Sequence, residues 1–331
     1  MMSPELSPRL TWAIDAVARA CELTSKLQGQ LHLVQQMKSD LSPVTVADYA
    51  AQALIAHDLA LAQPELELVA EEDDSMLMGS PGMLDAISEA LQGWIPGLSH
   101  KLLRRLLERS RHHNEKGFWA LDPVDGTKGF LRNANYAIAL AWIENGQPLL
   151  GVLGCPRLEL CKFPSTGVLV ASRRGVGAWG RPLDSAQAWC RLVCNDSVKL
   201  SQARLLHSFE PGHTDLDEIS RLRTRLGLEN PSVGIDSQAK YVMLAAGEGE
   251  LMVRLLNDAQ PDYRERIWDH AAGQVILEEA GGVVSDLQGH PLDFGQGRTL
   301  AQNQGLLASA SQSLHQEALA ALAPGNDQPL L

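Results

Sequence analysis

Residues 121–130 constrain this chain more than any other stretch. Asp122 and Asp125 are separated only by Pro123 and Val124, and Gly126 and Thr127 follow at once. Two carboxylates held that close repel each other unless a cation sits between them, and hard oxygen donors suit a metal such as Mg²⁺. The Gly-Thr pair can turn backbone N–H groups toward an anion, as loops entering helix N-termini do. Metal and phosphate chemistry is one reading. An Asx-rich surface turn built on Asp-Pro and Asp-Gly is the other, and ten residues do not decide between them. On either reading Phe118 to Leu121 is an apolar run, a strand that delivers Asp122 at its C-terminal end.

The formal net charge of −12 argues against binding nucleic acid or an anionic membrane, which needs surplus Lys and Arg. Positive charge for a phosphate-bearing substrate must then be local, most economically as bound cations. The five cysteines (Cys21, Cys155, Cys161, Cys190, Cys194) are odd in number and form no CxxC pattern, which speaks against zinc and for a reducing compartment. No apolar run reaches the ~18 residues of a membrane span. The start of the chain shows no basic segment leading into an apolar one. The expectation is a cytoplasmic chain whose partner is a small molecule, with no nucleic acid, membrane or protein partner implied.

Periodicity organises the rest. Residues 8–37 read as a long amphipathic helix with Leu10, Ile14, Val17, Ala18 and Cys21 on one face; 38–43 is a polar loop, and a second helix spans about 46–61. A short strand, 66–69, ends in Glu71, Glu72, Asp73 and Asp74. Residues 75–117 read as a helical insertion. The basic amphipathic segment 101–111 within it reads as a solvated charged face over an apolar stripe, with a cationic lid as the other role. Strand-like runs follow at 137–143, 149–153, 159–163, 168–171 and 175–179, spaced as an antiparallel meander. Beyond them lie strands at 192–195, 233–235, 250–254 and 283–285 and helices at 237–246 and 268–280. The order predicts an α/β layered fold in two halves, 1–185 and 186–331. Asp269, at the first turn of the last helix, can serve as a simple N-terminal cap or as a ligand.

Four ordered blocks decide these alternatives. They are 42–49 with Asp48, 69–72 with Glu71 and Glu72, 121–132, and 267–273 with Asp269 and the Glu279-Ala280-Gly281-Gly282 tail. Together they resemble the lithium-sensitive, Mg²⁺-dependent phosphatases related to inositol monophosphatase. The extension 128–132, the stretch 236–241 and the stretch 291–300 look like the 3′(2′),5′-bisphosphate nucleotidase branch of that superfamily. The resemblance implies an αβαβα sandwich of the inositol-monophosphatase and fructose-bisphosphatase type. It implies two or three Mg²⁺ ions: Glu71, Asp122 and the Val124 carbonyl would hold one, and Asp122 would bridge to a second held by Asp125 and Asp269. Two cations ~3.5–4 Å apart clamp the attacking and leaving oxygens of an in-line displacement. Thr127, hydrogen-bonded to Asp48, would orient and help deprotonate the attacking water, while the Gly126 and Thr127 amides receive the phosphate.

Ser237 and Lys240 match positions near the nucleotide, and Lys240 and Arg254 supply positive charge of the kind a second phosphate needs. His213 either reaches the nucleotide as well or is a loop histidine. Lys240, without its block, reads as a solvated helix residue. Ala70 stands where the family usually has Gly, and Asp73 adds negative charge that would strengthen a third cation site. The activity so implied is removal of the 3′-phosphate from 3′-phosphoadenosine 5′-phosphate (PAP), and from its sulfated analogue PAPS. An inositol-phosphate or sugar-bisphosphate phosphatase is the alternative of the same class, and a non-catalytic nucleotide sensor the alternative of another.

Overall fold

The computed structural model describes residues 7–30, 43–73, 81–109, 117–185, 188–208, 216–255 and 263–323. Helix α1 is Pro8–Gly29, started by the Ser7 side chain accepting from the Leu10 N–H and by proline at the first helical position. Helix α2 is Pro43–Ala62. The two pack together, and their apolar faces lie on a sheet whose strands run in chain order: β1 Leu68–Ala70, β2 Phe118–Asp125, β3 Ala137–Glu144, β4 Gln147–Cys155, β5 Val168–Arg173, β6 Gly177–Pro182 and β7 Cys190–Leu192. The β1–β2 pair is parallel and every later pair antiparallel, so the predicted meander is present.

Alternation along these strands divides the core. Trp119, Leu121, Ile138 and Leu140 face α1 and α2, whereas Phe118, Ala120, Ala137 and Ala139 face the other way. That second face receives α8, Ala271–Glu279, which packs on β3 to β6. Gly151 in β4 permits the approach, since a Cβ there would lie 2.5 Å from the Ala272 carbonyl oxygen. Beneath α8 lies a second sheet in the order β11-β12-β10-β8-β9, made of Leu205–His207 (β8), Val233–Gly234 (β9), Leu251–Arg254 (β10), Val283–Ser285 (β11) and Leu306–Ser309 (β12). Helix α7, Ala239–Ala245, packs on α8 between the sheets, and α6, Leu216–Leu226, and α9, Gln312–Leu322, pack against each other, α9 on β12. Helix, sheet, helix, sheet, helix is the expected five-layer order.

The break between the sheets falls between Leu192 and Leu205, and α8 from the second half packs on the first sheet, so the halves interlock. Within the predicted insertion, α3 (Pro81–Ala90) and α4 (His100–Arg109) pack on each other and on α2, with Leu103, Leu106 and Leu107 of α4 buried. The apolar stripe of the basic helix is thus scaffold. Between them the short helix α5, Thr127–Leu131, follows β2 directly.

Some expectations need correction. Residues 159–163 form no strand: Pro156 and Pro164 bracket them, and Gly167 N donates to Leu158 O at 2.9 Å to close a loop that buries Leu158, Leu160 and Phe163. The first helix ends at Gly29, short of 37; its expected last turns lie outside the described residues. The strands β8 and β12 and the helices α6 and α9 are additions to the sequence reading. No helix among the described residues is long and apolar enough to cross a membrane. Cys21, Cys155 and Cys194 are buried, Cys161 and Cys190 are exposed, and all five are free thiols.

His315 fastens α9 to the second sheet. Its Nε2 lies 2.8 Å from Ser285 Oγ and its Nδ1 2.8 Å from Ser309 Oγ, with the ring 2% exposed. Ser285 Oγ also donates to Asp286 O at 2.7 Å and Ser309 Oγ to Ser311 O at 3.2 Å, so the ring sits between two hydroxyls that are themselves tied to backbone carbonyls. Burial pushes the imidazole down to about 4. The unfolded chain therefore binds a proton between pH 6.5 and 4 that the folded chain refuses, and stability is lost as pH falls through that window. Urea unfolding at pH 7 and pH 4.5 should show the wild type losing about 2 kcal/mol more than His315→Gln. Equal losses would remove His315 from the acid response.

Candidate active site

The acids gather at the C-terminal ends of the parallel pair β1–β2, and strand geometry explains how. In a regular strand, residues three apart point to opposite faces. Here Asp122 pairs with Ala139 and Asp125 with Ala137, so three residues of β2 span two of β3. That extra residue is a β-bulge, and it turns both carboxylates to the side of the sheet that faces α8. The register of β1 supplies the next acid. Ala70 pairs with Leu121 and the Glu71 N–H donates to Leu121 O at 3.1 Å, which sets Glu71 beside Asp122 on the same face. Glu72, one residue on, points to the α2 side, where Gln52 holds both its N–H and its carbonyl (3.1 and 2.9 Å) and where Asp48 is buried. Asp269 enters from the second half, on a 3-10 turn, Ile267–Asp269, that packs on β2 and β3.

Electrostatics register the crowding. Burial, then Glu71, Asp125, Asp269 and Asp48 in that order, hold Asp122 well above the carboxylate range. Burial, then Asp125, Glu265 and Glu71, raise Asp269, and burial followed by Glu72 and Glu71 raises Asp48. Glu72 is pushed up to about 7 by burial and by Glu71. Glu71 opens to solvent on its outer side; burial of its inner side raises it, against opposing contributions from Asp122 and from the Arg266 and Arg298 guanidinium groups. Glu71, Asp122, Asp125 and Asp269 thus form one mutually repelling set of oxygen donors. Such a set fits a hard divalent cation, whose charge removes the repulsion that the protein by itself relieves only by keeping protons. Glu71, Asp122, Asp125, Asp269 and the Val124 carbonyl are the groups present to hold it.

Each predicted residue among the described ones is at or near this cluster. Val124 N donates to Asp122 Oδ1 at 3.2 Å, which fixes the carboxylate over its own turn. Gly126 caps α5 with φ of +88°, a left-handed conformation that glycine adopts without strain. Thr127 is exposed at the head of α5, and its hydroxyl donates to Val124 O at 3.4 Å. The expected Thr127–Asp48 hydrogen bond is therefore corrected: the turn presents the i−3 carbonyl to the hydroxyl, while Asp48 lies buried beside Glu72.

Lys240, 6% exposed, donates from Nζ to Ile235 O (3.2 Å) and Ser208 Oγ (3.4 Å). Burial, then Arg254, push its ammonium down to about 8, while Asp125 and Asp236 hold it up. Arg254 pairs with Glu265 at 3.6 Å; burial raises Asp125, and Lys240, the Gln238 N–H and Arg254 oppose that rise. Ser237 is buried, with φ of +69°. His213 lies outside the described residues.

Sequence reasoning assigned no role to several residues that build the site. Arg298 Nη2 donates to Ala70 O at 2.7 Å and lies over the Trp268 ring, 4.5 Å from its centroid, so it ties the end of β1 to the turn that carries Asp269. Tyr241 OH, His270 and Glu265 form a chain behind Asp269, with distances of 2.9 and 3.1 Å. Arg132 and Asp236 pair at 2.5 Å and lock the loop after β2 to the loop before α7. Arg298 and Asp236 lay within matched blocks, but side chains bonded to distant backbone leave no periodic or spacing signal.

Comparison with known proteins agrees with this geometry. The inositol monophosphatase family matches residues 5–324. The 3′(2′),5′-bisphosphate nucleotidase of Emericella nidulans is 37% identical over 93% of this chain and 95% of its own length; that of Schizosaccharomyces pombe is 36% identical over 90% of each. Thermotoga maritima IMPase superposes with a TM-score of 0.64 at 18% identity, over 96% of this chain and 97% of that one, a likeness of fold.

The electrostatic reading is directly testable. Asp122→Asn keeps size and shape and removes the most crowded charge, so the metal-free protein should gain about 1–2 kcal/mol in urea unfolding at pH 8 while its Mg²⁺ binding falls. A metal-free variant less stable than wild type would mean that the carboxylates do not repel in the fold.

Proposed function

The chain belongs to the inositol monophosphatase family, and on that premise we propose that it is a bisphosphate nucleotidase, a metal-dependent phosphomonoesterase that hydrolyses the 3′-phosphate of PAP, and also accepts PAPS. The observation that carries the substrate class is the pair of cations beside Asp125, Lys240 buried and Arg254 partly buried. A monoester needs one anion site, and the cations held by carboxylates supply it. A second, protein-built positive pole fits a substrate with a second phosphate. The nucleotidase relatives, more than a third identical over nine tenths of the chain or more, support the same class.

In this reading Glu71, Asp122 and Val124 O would hold one Mg²⁺, and Asp122, Asp125 and Asp269 would hold a second. When bound, such ions supply positive charge to the phosphoryl oxygens and make water more acidic. The protein does the rest. The Gly126 turn and the head of α5 present backbone N–H groups to the phosphate. Thr127, exposed at that head, would orient the attacking water through its hydroxyl, and Asp48 would accept the proton when that hydroxyl turns from Val124 O toward it. Water adds to phosphorus as the P–O3′ bond breaks, the proton taken from that water ends on the departing O3′, and AMP and inorganic phosphate leave. Ser237 and Lys240 hold the 5′-phosphate end. Inhibition by Li⁺, a cytoplasmic location and clearance of the by-product left after sulfuryl transfer from PAPS belong to the same proposal.

Phosphate release from PAP, PAPS, inositol 1-phosphate and fructose 1,6-bisphosphate, with Mg²⁺ present or chelated, tests it. PAP should have the lowest KM and chelation should stop turnover; a lower KM for either sugar or inositol ester would sink the nucleotide assignment. Asp269→Ala should abolish turnover, and an unchanged rate would remove it from the cation site. Lys240→Met should raise KM for PAP by about 10- to 100-fold, the value of a lost charged hydrogen bond, with a smaller change in kcat. An unchanged KM would leave Lys240 without a substrate role.

A further inference from the structure

Gln238 touches both carboxylates' supports at once. Its backbone N–H donates to Asp125 Oδ2 at 2.6 Å. Its side-chain Nε2 donates to Trp268 O at 2.9 Å, the residue directly before Asp269, and its Oε1 accepts the Gly273 N–H at 3.2 Å in the first turns of α8. The residue is 2% exposed, and both ends of its carboxamide are engaged. Gln238 arrives there because Ser237 takes φ of +69°, which a non-glycine residue holds only when its surroundings enforce it. Those surroundings are visible: a Cβ on Gly126 would come within 3.0 Å of Ser237 Cβ, and one on Gly129 within 3.3 Å of Asp236 Oδ2, so the segment after β2 and the loop before α7 interlock. Backbone strain therefore sits where it aims an N–H at Asp125.

We propose that Gln238 is a positioning residue that fixes the separation of Asp125 and Asp269 and so sets the affinity of the cation those two carboxylates share. The inference rests on the two-cation reading given above. The N–H on Oδ2 orients the Asp125 carboxylate and leaves Oδ1 clear of that bond. The carboxamide ties the peptide leading into Asp269 to the same residue, so one side chain sets the distance between two ligands that are far apart in sequence. No other side chain of similar length reproduces it: methionine keeps the reach and loses both bonds, and glutamate loses the donor to Trp268 O and adds charge to a crowded cluster. Partners that orient ligands in this way typically change metal affinity by about 10- to 100-fold when removed.

Mg²⁺ calorimetry on the full, metal-stripped chain tests the proposal, with urea unfolding of each metal-free variant alongside. Asp125→Ala should remove one binding step. Gln238→Met should weaken that same step by about 10- to 100-fold and leave the other unchanged. Gln238→Asn, which keeps the carboxamide but falls one methylene short, should weaken it less and keeps the test open if the methionine variant does not fold. An unchanged step in both variants overturns the proposal, as does equal weakening of both steps with a matching loss of metal-free stability, which marks a general scaffold role. If Asp125→Ala alters neither step, the two-cation reading has failed. If Asp125→Ala removes a step that Gln238→Met leaves intact, only the role of Gln238 has failed.

Discussion

Repulsion among carboxylates is the constraint to which the rest of this structure answers. Glu71, Asp122, Asp125 and Asp269 are brought together from three distant parts of the chain, with Asp48 and Glu72 close behind. Left alone, such a set would push its segments apart or hold protons near neutral pH. The fold opposes that push on every side. Arg298 and Arg266 face Glu71, Lys240 and Arg254 face Asp125, and the Gln238 N–H takes one Asp125 oxygen. The residual negative charge is what remains for cations to neutralise.

One extra residue in β2 makes the arrangement possible. Without the bulge between Asp122 and Asp125, the two side chains would face opposite sides of the sheet, one toward α8 and one toward α2. Strand parity also separates the twin glutamates. Glu71 joins the cluster, while Glu72 turns to Gln52 and Asp48 on the other face. Neighbouring acids of the same type thus acquire different environments from a single alternation of the backbone.

Much of this was legible in the sequence, for a definite reason. The ligand carboxylates sit at the ends of strongly patterned elements, so the run before Asp122 and the helix after Asp269 announced their own positions. The meander was legible because strands buried on both sides of a turn such as Asn145-Gly146 carry period and punctuation together. The strands β8 and β12 lack both: Leu205–His207 and Leu306–Ser309 are short, largely interior runs with no alternation to detect. Residues 159–163 misled in the opposite direction, since the apolar Leu158, Leu160 and Phe163 anchor a loop. The bulge, the left-handed Ser237 and the reach of Gln238 and Arg298 depend on partners more than a hundred residues away or on backbone angles, and neither is written in local pattern.

The Arg298–Ala70 hydrogen bond spans 228 residues of chain. A contact of that range closes a very large loop, and its entropy must be met before the contact repays it. The end of β1 cannot take its final anchorage while residue 298 is still unmade, and Asp269 arrives hardly earlier. During synthesis from the N-terminus, Asp48, Glu71, Asp122 and Asp125 must therefore wait, unscreened, until residues 269–298 have been made. Phosphatase activity in this architecture is a late event of folding, so its appearance times the docking of the two halves.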